Sequence, residues 1–203
     1  MNTIGFFGDS FCADRRPGSW CNLFAEKIGC GAPVCYGQEG DSIWSTFIKF
    51  NKRISEGTVP NVSIFCWTEP YRMYHPTLPL TINIKQKSNE NSHLYKALDD
   101  YWKYLHCSDK DEMAYEYALK YYDRHVLSTI DKKIIQTWSF RPFENSDKDA
   151  GIGLQAGLFI DKSLYRTAAD ERSDSKEMNH MSADLNEDLA NYFYGISKEY
   201  LQQ

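Results

Sequence analysis

Apolar and polar residues follow one another along the chain in blocks that predict strands and helices in turn. Short apolar runs typical of buried strands occur at residues 3–8, 32–37 and 61–67. Between them, residues 18–29 and 41–57 carry apolar side chains at helical spacing, and each of these two segments ends on a glycine. This order of strand, helix, strand, helix and strand predicts a parallel sheet with crossover helices.

The pattern changes after the third predicted strand. Residues 70–92 hold three prolines and a polar run, which predicts a long loop. Beyond it the sequence predicts two tyrosine-rich helices, a strand, a glycine-rich loop and a closing helix, at residues 94–105, 111–130, 132–140, 149–159 and 182–201. We therefore expect one α/β domain over residues 1–203, with a helical and loop insertion at about 70–130.

Composition and charge restrict the class of protein. Of the 203 residues, 42% are hydrophobic and 15% aromatic, which is enough for a sizeable core and unlike a disordered chain. The net charge is −5 and no block is rich in Lys or Arg. These features argue against nucleic acid as a partner.

The sequence also bears on the cellular compartment. The first residues lack the basic and apolar regions of a secretory signal, and no stretch approaches the roughly 18 apolar residues of a membrane span. The six cysteines include no C-x-x-C pair and several lie in apolar runs. We expect a cytoplasmic protein with no membrane partner, although a protein released by lysis would show the same features.

Candidate chemistry lies just after the predicted strands, because an open parallel sheet binds ligands beyond the carboxyl ends of its strands. The segments there read GDS at 8–10, GQEGDS at 37–42, WTEPYR at 67–72 and FRPF at 140–143. We expect these four segments to converge on one edge. That edge would carry a serine, glycine N–H groups, a threonine, carboxylates and arginines.

A base for the serine is available near the end of the chain. His180 stands two residues before Ser182, which is a candidate N-cap of the closing helix. Glu177 could accept the second imidazole N–H, and Asp174 or a backbone carbonyl could do so instead. With Ser10, these residues supply a nucleophile, a base and a group that orients the base.

Together these blocks resemble the SGNH (GDSL-type) hydrolases, which are serine esterases. Residues 8–10 match the G-D-S of the first family block, and residues 40–42 match the G-D-[ST] of the second. Residues 177–182 are similar to the family's D-x-x-H-[LP]-[SN] block, with Glu in place of Asp. The resemblance implies a three-layer α/β/α, flavodoxin-like fold with a parallel sheet of about five strands.

The resemblance also implies roles for single residues. Ser10 would attack an ester carbonyl and His180 would take its proton, oriented by Glu177. The backbone N–H groups of Ser10 and Gly40 would hold the oxyanion. Each residue also has a plainer interpretation: an Asp-Ser turn or helix cap for Ser10, an exposed loop histidine for His180 and a turn glycine for Gly40.

The sequence departs from the family pattern in the third block. The family has G-x-N-D after its third strand, and its Asn side chain donates to the oxyanion. Thr68 and Glu69 stand in those places here. A threonine hydroxyl can donate one hydrogen bond but has a shorter reach than an amide, so Thr68 is the candidate third donor. An ordinary strand-end threonine is the alternative.

Other charged residues are expected at the same edge. Asp9, Glu69, Arg72 and Arg141 are candidates for the rim or for substrate binding. The two arginines could bind an anionic group of a substrate or pair with Glu69 and Glu39. The cost of unpaired charge favours the pairing.

The sequence therefore predicts a carboxylic-ester hydrolase that needs no metal or organic cofactor. An O-acetyl group on a carbohydrate is preferred over a long-chain lipid, because the insertion is polar and rich in tyrosine. The alternatives are an SGNH-like binding or structural protein with weakened catalysis and an acyltransferase with the same triad. The remaining histidines show no ligand spacing and are interpreted as surface or helix-packing residues: His75, His93, His106 and His125.

Overall fold

The computed structural model describes residues 3–13, 16–76, 92–140, 152–170 and 181–203. The strands are β1 (Ile4–Phe7), β2 (Val34–Cys35), β3 (Val62–Trp67), β4 (Lys133–Trp138) and β5 (Leu158–Ser163). The helices are α1 (Trp20–Lys27), α2 (Ile43–Ser55), α3 (Ser92–Tyr104), α4 (Ser108–His125), α5 (Leu164–Asp170) and α6 (Ala183–Gln202). Short 3₁₀ turns follow β1 at Ser10–Cys12 and α4 at Leu127–Thr129.

The five strands form one sheet in the order β2-β1-β3-β4-β5, and every neighbouring pair is parallel. This is the flavodoxin-like strand order, in which the winding reverses between β1 and β3. The predicted α/β fold and the parallel sheet of about five strands are confirmed. The reversal opens a crevice at the carboxyl ends of β1 and β3, where the candidate serine was expected.

Helices cover both faces of the sheet. Side chains of β1 alternate between the faces, as the two-residue period of a strand requires. Phe6 packs in a core with Trp20 of α1 and Phe193 of α6, whereas Phe7 packs in a second core with Phe50 of α2 and Leu119 of α4. The molecule is thus a three-layer α/β/α sandwich, as predicted.

Several boundaries differ from those predicted. The predicted glycine-rich loop at 149–159 ends at residue 157, because β5 begins at Leu158, and neither β5 nor α5 was predicted. The predicted helix at 111–130 is α4, which begins three residues earlier at Ser108 and ends at His125. The acidic side chains of Asp109 and Asp111 favour a helix N-terminus there but add nothing to an apolar pattern. Residues 77–91 of the predicted long loop lie outside the described residues.

Among the helices that the structure describes, none is long and apolar enough to cross a membrane.

Candidate active site

The candidate nucleophile lies on a tight turn at the carboxyl end of β1. The strand ends at Phe7, and after Gly8 and Asp9 the chain enters a 3₁₀ turn that begins at Ser10. The Asp9 carboxylate accepts a hydrogen bond from the Phe11 N–H at 3.2 Å, and the Asp9 carbonyl accepts one from the Cys12 N–H at 3.0 Å. Asp9 is fully buried and Ser10 is partly exposed, so the turn faces Ser10 toward the edge of the sheet.

The buried Asp9 carboxylate joins the ends of three strands. Thr68, which follows β3, donates its hydroxyl to Oδ2 at 3.1 Å, and Ser139, which follows β4, donates to Oδ1 at 2.9 Å. Arg72 donates from Nη1 to Oδ2 at 3.0 Å. A buried carboxylate is stable only when its oxygens are paired, and here both are. The position of Ser10 is therefore fixed from β3 and β4 as well as from its own turn.

The segment after β2 approaches the same turn closely. A side chain at Gly37 would bring its Cβ within 2.5 Å of the Asp9 carbonyl oxygen, so only glycine allows this approach. Gly40 is buried and has a φ of +75°, which other residues rarely adopt. Ser42 then caps α2 by accepting from the Ser45 N–H. The structure thus brings the first two predicted blocks together.

Thr68 and Glu69 are engaged with protein partners. The Thr68 side chain is buried and its single hydroxyl proton points to Asp9, while its carbonyl oxygen accepts from the Tyr115 hydroxyl at 2.6 Å. Thr68 would have to release Asp9 before it could donate to an oxyanion, and its predicted role stays a prediction. Glu69 accepts from Arg72 Nε at 3.0 Å. The predicted pairing of Arg72 with Glu69 is confirmed.

His180, Glu177, Asp174 and Arg141 lie outside the described residues, so their predicted roles stay predictions. The chain directly after His180 is described. Met181 is fully buried in the same core as Phe11 and Cys12. Ser182 caps α6 by accepting from the Leu185 N–H at 3.2 Å, as its predicted cap role requires. The residue that follows the candidate base therefore belongs to the same hydrophobic core as two residues of the turn that carries the candidate nucleophile.

An aromatic cavity of about 410 Å³ lies beside this edge. Arg72 belongs both to its wall and to the Asp9 cluster. Trp44 and Tyr74 in the wall are 46% and 42% exposed, which leaves their rings open to a ligand. The full lining is Ile43, Trp44, Pro70, Tyr71, Arg72, Met73, Tyr74, Tyr101, Asp111, Ala114 and Tyr115.

A Ser–His–Asp arrangement that the sequence analysis missed lies at the start of α4. His106 Nδ1 is 2.8 Å from Asp111 Oδ2, and His106 Nε2 is 3.2 Å from the Ser108 hydroxyl. Burial raises the pKa of Asp111, but hydrogen bonds from Lys110, His106 and Tyr101 outweigh it and leave the pKa below its usual value. Ser108 is exposed, so water competes for its hydroxyl. The three residues lie close together in the sequence, so this arrangement could have been recognised from the sequence alone.

In the described part of the chain, no group of three or more His, Cys, Asp and Glu side chains is arranged to hold a metal ion.

No protein-family model and no curated protein matches the chain. The solved structures that are similar include one named "putative lipolytic protein of G-D-S-L family" from Desulfitobacterium hafniense DCB-2. It is 13% identical, has a TM-score of 0.47, and the similarity covers 97% of this chain and 99% of that one. The strand order of the sheet, rather than this similarity, establishes the fold.

Proposed function

We propose that this protein is a serine hydrolase of the SGNH type that cleaves a carboxylic ester. One observation carries the proposal: Ser10 is a partly exposed serine at the switch point of the sheet, on a turn fixed by the buried Asp9 and in contact with the Gly37–Gly40 segment. This is the place where flavodoxin-like sheets bind ligands. A glycine-rich segment beside it supplies backbone N–H groups.

In the proposed mechanism, Ser10 Oγ attacks the ester carbonyl and His180 takes the hydroxyl proton. Glu177 accepts the other imidazole N–H and stabilises the imidazolium that forms. The N–H groups of Ser10 and Gly40 hold the oxyanion, with Thr68 as a third donor only if it releases Asp9. His180 then gives its proton to the leaving alcohol, and water attacks the acyl-enzyme to release the acid.

We further propose a neutral carbohydrate O-acetyl ester as the substrate. Exposed aromatic rings such as Trp44 and Tyr74 can stack on sugar rings, and both line the cavity beside the site. The charged groups of the lining are already paired, Arg72 with Asp9 and Glu69, and Asp111 with Lys110. Because Arg72 is already paired with two carboxylates, this lining favours an uncharged, hydroxyl-bearing group over an anionic one.

The proposal is tested by labelling with a fluorophosphonate probe and by hydrolysis of p-nitrophenyl acetate. Wild type is expected to react, Ser10→Ala to lose both activities, and Ser108→Ala to keep both. Ser108→Ala is the matched control because Ser108 is an exposed serine whose hydroxyl contacts a histidine, His106, in the described part of the chain. Failure of wild type to label and turn over would refute the proposal. If Ser108→Ala loses both activities and Ser10→Ala keeps them, the catalytic serine lies at the start of α4.

The engagement of Thr68 with Asp9 favours a second candidate, a binding protein on the same scaffold with weakened catalysis. It predicts no labelling of wild type together with binding of acetylated oligosaccharides. Titration of tryptophan fluorescence with such an oligosaccharide separates the two functions, since Trp44 lines the cavity.

A further inference from the structure

We propose that Arg72 is a positioning residue that holds together the two backbone segments whose N–H groups form the oxyanion hole. This inference rests on the proposed function. It concerns how the site is assembled. The roles predicted for Arg72 from sequence were an ion pair at the rim and the binding of a substrate anion.

The contacts of a single guanidinium nitrogen carry the argument. Arg72 Nη1 donates to Asp9 Oδ2 at 3.0 Å and to the Asp41 carbonyl oxygen at 3.3 Å. Asp9 directly precedes Ser10, and Asp41 directly follows Gly40. One nitrogen atom therefore touches the neighbours of both proposed oxyanion donors. A shift of either segment breaks one of these two hydrogen bonds.

The guanidinium itself is held rigidly. Its side chain is only 7% exposed, and Nε donates to Glu69 Oε1 at 3.0 Å. The Phe140 ring lies below the guanidinium carbon at 4.5 Å from the ring centre. The Tyr115 hydroxyl fixes the Thr68 carbonyl at the end of β3, from which the loop to Arg72 departs. A planar fork that stacks and donates in two directions cannot be replaced by a lysine ammonium.

The charge of Arg72 also matters for the proposed chemistry. Asp9 is fully buried one residue from the nucleophile, and an unpaired carboxylate there would repel a developing oxyanion. The guanidinium pairs with Asp9 and with Glu69, so it offsets the negative charge of the Asp9 carboxylate. Its Nε and Nη1 groups donate to protein acceptors, which distinguishes it from an arginine that uses them to bind a substrate anion.

The test uses Arg72→Lys and Arg72→Ala in the full chain, with kcat and KM for p-nitrophenyl acetate and the rate of fluorophosphonate labelling. We expect kcat to fall by about 10²-fold in both variants, the loss typical of one oxyanion donor. KM should change by less than about threefold, because ground-state binding is left intact. Guanidinium chloride at low millimolar concentration should restore part of the labelling rate of Arg72→Ala, by filling the space that the side chain leaves.

The matched control is Arg53→Ala. Arg53 also pairs with a glutamate, Glu56, and lies 5.5 Å from the centre of the Tyr36 ring. It sits at the end of α2 away from Asp41, about 15 Å along the helix axis from the first residue of α2. This variant should keep wild-type kcat whatever its effect on stability.

The outcomes separate the two proposals. If wild type and the Arg72 variants react equally well, the inference about Arg72 is wrong and the proposed function stands. If the activity of Arg72→Ala falls only in proportion to its unfolded fraction, without rescue by guanidinium, Arg72 is merely structural and the inference is again wrong. If wild type neither labels nor turns over, the proposed function fails and this inference fails with it.

Discussion

At the scale of single residues, Asp9 is the most connected side chain of the site. Its carboxylate accepts from the Phe11 N–H, Thr68, Arg72 and Ser139. In Asp9→Asn an amide N–H₂ would face two of these donors, and the buried Arg72 would lose a carboxylate partner. Breaking a buried ion pair by removal of one partner costs about 3–5 kcal/mol. We expect a loss of that size in the free energy of unfolding, measured by urea denaturation.

The control for this prediction is Asp131→Asn, because Asp131 is exposed in the turn before β4. It should unfold at the wild-type urea concentration. Equal midpoints for the Asp9 and Asp131 variants would show that the Asp9 cluster does not stabilise the fold.

The location of Ser10 could be predicted from sequence because a glycine, an aspartate and a serine follow one short apolar run. The partners of Asp9 could not. Thr68, Arg72 and Ser139 are 59, 63 and 130 residues away along the chain, and nothing local to them indicates a shared carboxylate. Sequence spacing alone reports contacts within an element, whereas this cluster arises from the order of three strands in the sheet.

At the scale of elements, a buried carboxyl at the start of α2 predicts that the stability of the protein depends on pH. Burial raises the pKa of Asp41 above its ordinary value of 3.8, against the opposing effects of Lys49 and Ser45. A carboxyl with a raised folded-state pKa is favoured in its protonated form by the folded protein. The stability it contributes is present below pH 3.8 and is lost as the pH rises through the folded-state pKa. Wild type should therefore lose stability relative to Asp41→Asn as the pH rises from about 4 toward neutrality.

Urea unfolding at a series of pH values measures this difference. The Asn side chain keeps an oxygen that can accept from Ser45, so the start of α2 stays intact. Asp100→Asn, on the exposed face of α3, should follow the wild-type pH dependence. A constant difference between wild type and Asp41→Asn across the series would contradict the prediction.

The element that the sequence pattern failed to reveal is β5. A buried central strand such as β3 is a continuous apolar run and was predicted within one residue of its observed bounds. β5 reads LFIDKS, mixes buried and exposed positions, and pairs with β4 through an irregular register. An edge strand has only one neighbour, so its sequence is not forced to be apolar throughout. Edge strands are for this reason harder to predict than central ones.

At the scale of the whole molecule, one buried amide joins the beginning of the chain to its end. Asn186 of α6 accepts from the Trp20 N–H at 2.8 Å and donates to the carbonyls of Met181 and Ser182 at 3.1 and 2.9 Å. The Trp20 indole in turn donates to the Phe11 carbonyl at 2.7 Å. The turn of the nucleophile and the segment directly after the candidate base are thereby tied to the same two helices, α1 and α6.

These hydrogen bonds predict that Asn186 supports both the stability of the fold and the proposed catalysis. Asn186→Ala leaves the Trp20 N–H and the Met181 carbonyl buried without this partner, and each such group costs about 1–3 kcal/mol. We expect a loss of roughly 2 kcal/mol or more in the free energy of unfolding. We also expect a lower kcat for p-nitrophenyl acetate, because Met181 and Ser182, which follow the candidate base, lose this anchor. Asn186→Asp should be no better, since its carboxylate would face two carbonyl oxygens. Asn191→Ala, on the exposed side of the same helix, should match wild type in both measurements. A fully folded Asn186→Ala with wild-type kcat would show that the proposed catalysis does not depend on these hydrogen bonds.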